Sequence, residues 1–181
     1  IRKATTMDAK APGDKVYVLG ITRDELGGSE YYDMLGHLGR NVPQVDSTSA
    51  MQRYRTVNVA QDKQLIASCH DLSDGGLGVA LAETAFAGGF GMQIDLAALP
   101  VEGQLRHDTA LYSESQSRLL VTVAPDNVAA FEKLFDGQDC ACIGEVVTEQ
   151  TLNVVGANGE QLMNAKLDGL KQAWQAPLKE L

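Results

Sequence analysis

The sequence has few cysteines, few basic residues and no long apolar run, and these absences exclude several classes of protein. Its 181 residues include three cysteines, an odd number that argues against a disulfide framework. Cys140 and Cys142 alternate in an apolar run, and with Cys69 they lack the spacing of a zinc site. No apolar run approaches the roughly 20 residues that cross a bilayer. We therefore expect a soluble, cytoplasmic protein with reduced thiols and no membrane contact.

Basic residues are outnumbered: 15 Lys and Arg stand against 24 Asp and Glu, a formal net charge of −9 at pH 7. Extended contact with nucleic acid needs a basic face that neutralises phosphates, so no nucleic-acid partner is expected. A small phosphorylated ligand is compatible with this charge, because a few backbone N–H groups, a basic side chain and a bridging Mg²⁺ can bind it locally.

The pattern of apolar residues predicts an α/β (α+β) fold, a mixed β-sheet with packed helices. About six strands interleave with four or five helices, and residues 152–165 are typical of an antiparallel hairpin. The other strands are predicted at residues 15–21, 65–71, 92–96, 119–123 and 140–147, and the helices at residues 31–38, 47–63, 75–87, 126–135 and 167–175.

The same pattern predicts how the helices pack and where the domain lies. Met51, Tyr54 and Val57 share one face of the second helix, which we expect to lie in the core. Trp174 is expected to be a packing anchor, and residues 97–109 to be a loop. We interpret residues 1–12 as a linker from a missing N-terminal domain and residues 13–181 as one domain.

Residues 70–77, His-Asp-Leu-Ser-Asp-Gly-Gly-Leu, connect an apolar strand to an Ala-rich and Leu-rich helix. The two glycines let the backbone bend, and Ser73 or Asp74 can accept hydrogen bonds from the first N–H groups of the helix. Such a turn suits a phosphate, and Asp71 at the end of the strand can hold Mg²⁺ through one oxygen. The alternative is that Asp71 and Asp74 only cap the helix.

Two further segments carry closely spaced polar groups. Residues 25–31 place Gly27, Gly28 and Ser29 between a strand and a helix, where their N–H groups can cradle an anion. The alternative there is a flexible turn with Ser29 as the N-cap. Residues 113–118, Ser-Glu-Ser-Gln-Ser-Arg, are a dense set of hydrogen-bond donors and acceptors before a buried strand, as expected of a segment that faces a ligand or a partner. The alternative interpretation of this segment is a solvated loop.

Taken in this order with residues 143–146, the three segments resemble the C-terminal domain of the aminoimidazole ribonucleotide (AIR) synthetase superfamily. The likeness covers residues from about 13 to 165, and it is nearest to the phosphoribosylformylglycinamidine synthases of purine synthesis. The form of residues 70–77 is similar to that in the second of the two homologous halves of those enzymes.

This resemblance implies a fragment of an ATP-dependent ligase. ATP and Mg²⁺ would activate the formyl oxygen of the small-molecule substrate, formylglycinamide ribonucleotide. Ammonia from a separate glutaminase domain or subunit would then displace phosphate to give the amidine. The missing N-terminal domain would dimerise and supply the catalytic His, so the fragment is expected to be inactive alone. With that domain absent, we also expect an exposed apolar patch and self-association as a homodimer.

The resemblance also implies roles for individual residues, with no catalytic residue in this segment. Asp71 matches a ligand of nucleotide-bound Mg²⁺. Arg118 can contact a ligand or pair with Glu114 to hold the loop. The residues expected to contact nucleotide or substrate are Gly27, Gly28, Ser29, His70, Ser73, Gly75, Gly76, Glu114, Ser115, Gln116 and Arg118.

Two alternative functions stay open from the sequence. The first is another ATP-dependent enzyme of the superfamily, such as a selenophosphate, thiamine-phosphate or hydrogenase-maturation enzyme. The second is a non-catalytic structural or binding domain with a vestigial nucleotide site.

Overall fold

The computed structural model describes residues 4–177. These residues form seven strands and six α-helices. The elements are β1 (Lys15–Leu19), α1 (Glu30–Met34), α2 (Ser47–Asp62), β2 (Ser68–Asp71), α3 (Gly76–Gly88), β3 (Gly91–Asp95), α4 (His107–Tyr112), β4 (Leu119–Val123), α5 (Val128–Leu134), β5 (Cys140–Val147), β6 (Thr151–Val155), β7 (Gln161–Lys166) and α6 (Leu167–Gln175).

All seven strands belong to one mixed sheet in the order β2-β4-β1-β5-β3-β6-β7. Among the described strands only β3 and β6 pair in parallel, and the other neighbours are antiparallel. The hairpin of β6 and β7 lies where the sequence predicts it. The predicted mixed sheet with packed helices is therefore confirmed. None of the described helices has both the length and the apolar character needed to cross a membrane.

Helices cover both faces of the sheet because alternate residues of each strand point to opposite sides. Val16 and Val18 of β1 pack in one core with α3, whereas Tyr17 and Leu19 pack in the other. The first core also includes buried residues of α4 and the first residue of α6. The second core is closed by α2 and α5, as Val57 and Ala60 of α2 and Phe131 of α5 show.

The predicted core face of α2 is wrong for two of its three residues. Val57 is buried, but Met51 and Tyr54 are about half exposed, at 51% and 47%. The buried positions follow a different helical stripe, which consists of Ala50, Arg53, Val57 and Ala60. A hydrophobicity pattern misses this stripe because it contains Arg53, whose charge is compensated by hydrogen bonds to Ser117.

Several predicted boundaries also differ from the structure. The strand predicted at residues 65–71 begins only at Ser68, although Leu65 and Ile66 are buried. Helix α1 is shorter than predicted because Gly36 and Gly39 adopt positive φ angles of 72° and 74° just after it. Residues 97–109 are not wholly a loop, because α4 begins within them and is too short for its periodicity to be evident.

The segment predicted as a linker packs against the domain over its described part. Ala9 is 2% exposed, and its N–H donates to the Thr84 carbonyl in α3. The carbonyl of Thr6 accepts a hydrogen bond from Cys69 in β2. Whether residues 1–12 form a linker stays a prediction, and residues 1–3 and 178–181 lie outside the described range.

Candidate functional site

The three polar segments meet at one end of the sheet. Asp71 pairs with Leu119, and Leu119 pairs with Leu19 on its other side. Because β2 and β1 both run antiparallel to β4, the residues after β2 and β1 and the residues before β4 lie at the same edge. The topology thus gathers residues 70–77, 20–31 and 113–118, which are far apart in the sequence.

Glu114 joins the two glycine turns directly. Its Oε1 accepts a hydrogen bond from Gly75 N at 2.9 Å and another from Glu30 N at 3.0 Å. Glu30 is the first residue of α1, and Gly75 is the N-cap of α3, with a φ of 74°. One carboxylate therefore binds the N-terminal ends of two helices, a position where negative charge is favourable.

The predicted cap of α3 is wrong. Gly75, rather than Ser73 or Asp74, is the N-cap, and its helix has no side-chain cap bond of its own. The Ser73 hydroxyl donates instead to the Asp71 carboxylate. The physical reason is that Gly75 and Gly76 have positive φ angles of 74° and 59°, so the chain turns again after Asp74 before the helix begins.

The turn at residues 27–29 does not form the predicted cradle of free N–H groups. Its three N–H groups donate to backbone carbonyls, Gly27 to Asn41 at 2.8 Å, Gly28 to Leu38 at 2.7 Å and Ser29 to Leu26 at 3.2 Å. The alternative is correct in that Ser29 is the N-cap of α1, since its Oγ accepts from Tyr32 N at 3.2 Å. Any ligand contact of Gly27 or Gly28 must therefore use other atoms.

Residues 113–118 form a packed turn rather than the solvated loop. Ser113, Ser115 and Arg118 are at most 1% exposed. The Arg118 guanidinium donates to the carbonyls of Ser115 and Ser113 and, at 2.9 Å, to Thr22 Oγ1. The predicted pairing with Glu114 is replaced by these bonds. The buried side chains of Ser115 and Arg118 thus hold this turn together and are not placed to contact a ligand directly.

Burial changes the pKa of the Arg118 guanidinium. Removal from water lowers the pKa of Arg118 to about 10, and the nearby carboxylates of Glu25 and Glu114 oppose that change. Arg118 is therefore still charged at neutral pH. Gln116, by contrast, is exposed, and Glu114 is partly exposed, so these two side chains of the segment remain within reach of solvent.

Arg53 is a site-forming residue that the sequence did not reveal. Its Nη1 donates to the carbonyl of Ser117 at 2.8 Å and to the Ser117 hydroxyl at 2.9 Å. Ser117 has a positive φ of 60°, which is strained for a residue with a side chain. A Cβ on Gly20 would lie 3.0 Å from Arg53 Cζ and 3.1 Å from Arg118 Cγ, so the two arginines close around that glycine.

Asp71 has the properties of a candidate magnesium ligand. Its side chain is 69% exposed, and the hydrogen bond from Ser73 is the largest effect lowering the pKa of its carboxyl group. An exposed, ionised carboxylate is the hard oxygen ligand that Mg²⁺ prefers. No group of three or more potential metal-ligating side chains is present within residues 4–177. A metal ion at Asp71 would therefore need most of its ligands from outside these side chains.

His70 lies between two carboxylates. Its Nε2 is 2.8 Å from Glu83 Oε2, and its Nδ1 is 3.4 Å from Asp71 Oδ1. The sequence reasoning missed Glu83, although it is the one charged residue of the otherwise apolar and small-residue helix α3. That isolation within the helix is the signal that could have found it.

A groove of about 480 Å³ runs beside the turn at residues 27–29, within the size range of small-molecule sites. Arg23 and Arg40 contribute positive charge to its lining, and Arg23 Nε pairs with Glu102 Oε2 at 2.6 Å. Glu25 also lines the groove and accepts a hydrogen bond from Gln44 N at 3.0 Å. Asp24 and Glu102 line it as well, so three carboxylates face two arginines, and Arg40 is the basic side chain of the lining that no carboxylate pairs with among the described residues.

Comparisons with known proteins agree with this architecture. Residues 11–157 match the family described as AIR synthase related protein, C-terminal domain. The chain is 41% identical over 165 residues to the phosphoribosylformylglycinamidine synthase subunit PurL of Limosilactobacillus reuteri, which is 91% of this chain and 21% of that protein. The chain thus spans about a fifth of the length of the curated relatives that it matches.

Solved structures share the fold at lower identity. Thermotoga maritima PurL complexed with FGAR has a TM-score of 0.81 and 20% identity, covering 93% of this chain and 29% of that chain. The hydrogenase maturation protein HypE of E. coli has a TM-score of 0.65 and 21% identity, covering 91% of this chain and 52% of that chain. These likenesses show the fold.

Proposed function

The chain belongs to the AIR synthase related protein family, whose C-terminal domain it matches, and from this we propose that it is that domain of a phosphoribosylformylglycinamidine synthase. The enzyme would convert formylglycinamide ribonucleotide to formylglycinamidine ribonucleotide with ATP and ammonia. The observation that carries this proposal is the convergence of three separate polar segments on one sheet edge. The identity of 41% to a synthase subunit supports it.

In this proposal the nucleotide lies against the turn after β2. Asp71 would hold Mg²⁺, which would supply positive charge to neutralise the phosphates. His70 and Ser73 flank that carboxylate, and Gly75 and Gly76 let the turn pack closely against Val79 and the Ser113 carbonyl. Glu114 and Arg118 would act indirectly, since their hydrogen bonds fix the turn and the segment before β4.

The substrate would occupy the groove beside the turn at residues 27–29, with Gln116 at the exposed edge of the neighbouring segment. Arg40 lines this groove and would bind a phosphate group, whereas Arg23 pairs with Glu102 in the same lining. The buried Ser115 accepts a hydrogen bond from Arg23 N at 2.9 Å, which holds that wall in place. Gly27 would help to shape this wall, because a Cβ there would lie 2.8 Å from the backbone of Asn41.

The proposed partners follow from the short span of the chain. Because the chain covers 21% of its relative, an N-terminal domain would supply the opposite wall of the cleft and the catalytic His. The relative is a synthase subunit, so a glutaminase domain or subunit is the expected source of ammonia. The three cysteines are free thiols, in keeping with a cytoplasmic enzyme.

Calorimetric titration with ATP and Mg²⁺ tests this function, with the chain alone and joined to the N-terminal part of its enzyme. We expect binding in the joined protein, and Asp71→Ala should weaken it about tenfold or more. Asp74→Ala is the matched control, because Asp74 lies in the same turn but not at the strand end. Equal affinity of the wild type and Asp71→Ala would refute a metal-binding role for Asp71.

A further inference from the structure

A chain of polar contacts leads from the last helix to the candidate site. Glu83 Oε1 accepts a hydrogen bond from Trp174 Nε1 at 2.7 Å, and Glu83 Oε2 is 2.8 Å from His70 Nε2. His70 in turn approaches Asp71 through its other ring nitrogen. A single carboxylate on α3 thus connects α6 to the edge at the end of β2.

The chemistry of Glu83 determines how the His70 ring is oriented. A carboxylate oxygen accepts hydrogen bonds and does not donate them, so His70 Nε2 carries the proton of the 2.8 Å bond. The Nδ1 atom consequently faces Asp71 and the exposed edge. The ring is 14% exposed, and rotating it by half a turn would break the bond to Glu83. Carboxylate partners commonly fix histidine rings beside metal sites in this way.

Trp174 completes the arrangement from the other side. Its ring packs on Phe86 of α3 with the ring centroids 5.7 Å apart, which brings the indole N–H to Glu83. The ring is still 51% exposed, so burial alone does not account for its position. With both oxygens engaged, the Glu83 side chain has little rotational freedom.

We propose that Glu83 is a positioning residue for the nucleotide edge of this domain, and that Trp174 couples α6 to that edge through Glu83. Glu83 holds His70 so that Nδ1 is presented beside Asp71, where a bound ligand or its metal-bound water meets it. The ligand in this inference rests on the proposed function, whereas the coupling of the three side chains does not.

NMR of the full chain tests the coupling without any ligand. The sequence has three histidines and one tryptophan, so each ring can be followed separately. Glu83→Gln should shift the ring signals of His70 and the indole N–H signal of Trp174 together. Trp174→Phe, which removes the indole donor but keeps an aromatic ring, should shift His70 as well.

A second His–Glu pair supplies the matched control. His107 Nδ1 lies 3.9 Å from Glu160 Oε2, and Glu160→Gln should move the His107 signals alone. His70 signals that stay at their wild-type positions in Glu83→Gln would overturn the inference. Equal shifts of all three histidines would overturn it too, because they would indicate a general change of structure.

Binding of ATP with Mg²⁺ to the complete enzyme then tests the consequence. Glu83→Gln should weaken binding about tenfold, as loss of such a supporting partner typically does, while its thermal unfolding midpoint stays close to that of the wild type. Wild-type affinity in Glu83→Gln would overturn the positioning role. Failure of the proposed function can be told apart from failure of the positioning role, because in the first case the wild-type enzyme itself would bind no ATP.

Discussion

Two glycines at the candidate site differ in what a side chain would meet. A Cβ on Gly76 would lie 2.3 Å from the Ser113 carbonyl oxygen, and Gly76 has a φ of 59°. Gly28 has a φ of 74°, but no atom lies within 4 Å of its Cβ position. We expect Gly76→Ala to lower the free energy of unfolding by about 3 kcal/mol or more, through strain and clash together.

Gly28→Ala is the control for this prediction, because it adds backbone strain without a clash and should lower stability by about 1–2 kcal/mol. Urea unfolding of both variants measures the difference. Equal losses would mean that the segment before β4 moves away freely, contrary to the tight packing of residues 113–118.

The Ser73 hydroxyl stabilises the ionised form of the Asp71 carboxyl group. Its hydrogen bond is the main cause that lowers the pKa of Asp71 below the ordinary value of 3.8. A carboxyl whose pKa is lower in the folded chain stabilises the fold above pH 3.8, and this stabilisation is lost as the pH falls through the folded-state value. Ser73→Ala should raise the pKa of Asp71 and flatten the pH dependence of stability just below 3.8.

Carbon NMR of the Asp71 carboxyl group across an acid titration measures this change directly. Ser49→Ala is the comparison, because Ser49 makes the same kind of bond to Asp46 and is the main cause of the lowered pKa there. That variant should move Asp46 and leave Asp71 unchanged. If the pKa of Asp71 is the same in Ser73→Ala as in the wild type, the Ser73 hydrogen bond is not what lowers it.

Helices α1 and α3 depend on one another through Glu114. Helix α1 has five residues, none of them buried, so its own packing does little to hold it. Glu114→Ala would free the N–H groups of Glu30 and Gly75, and we expect it to lower stability by about 1–3 kcal/mol. Amide hydrogen exchange at both positions should rise together.

Glu114→Gln keeps an acceptor oxygen but loses the charge that favours the two helix N-termini, so its effect should be intermediate. Gln116→Ala, which removes a hydrogen bond to the backbone carbonyl of Glu114 but leaves its carboxylate in place, should leave exchange at Glu30 and Gly75 unchanged. Faster exchange at only one of the two positions would show that Glu114 does not connect the helices.

At the scale of elements, prediction from the sequence succeeded where local periodicity decides the structure. Strand β4 and helix α6 begin and end where their apolar patterns predict, although β4 is buried on both faces and only Leu167 of α6 is buried. Helix α2 begins at the predicted residue, Ser47, but does not have the predicted core face. Its buried Arg53 can be recognised only once Ser117 is known to lie opposite.

The order of the polar segments predicted the fold correctly. It did not predict which contacts each side chain makes. Arg118 is buried because carbonyls from its own turn and the Thr22 hydroxyl surround it, which no local pattern encodes. The N–H of Gly75, the N-cap of α3, is bound by Glu114, which is distant in the sequence. Glu83 and Trp174 meet only after α3 and α6 have packed together.

At the scale of the whole molecule, exposed apolar side chains are concentrated in one stretch of the chain. Between residues 34 and 54 lie seven large hydrophobic side chains that are exposed, namely Met34, Leu35, Leu38, Val42, Val45, Met51 and Tyr54. Such a concentration promotes association. We expect the isolated chain to form dimers through this stretch, as measured by sedimentation velocity over a range of concentrations.

Replacing Leu38 and Val45 with lysine should weaken this association more than tenfold, since each buried apolar side chain contributes about 1.5–3 kcal/mol. Val101→Lys is the control, because Val101 is 41% exposed but lies outside the stretch. If the double variant associates as strongly as the wild type, the dimer uses another surface.

The central place of β1 in the sheet determines when the domain can fold during its synthesis. Lys15 pairs with Val123 of β4 on one side and with Glu145 of β5 on the other. The ribosome therefore releases β1 long before either neighbour exists, and the nascent chain carries an unpaired apolar strand for most of its elongation. Closing such long loops is slow, so the new chain is most exposed to misfolding, and to capture by chaperones, just before β5 emerges.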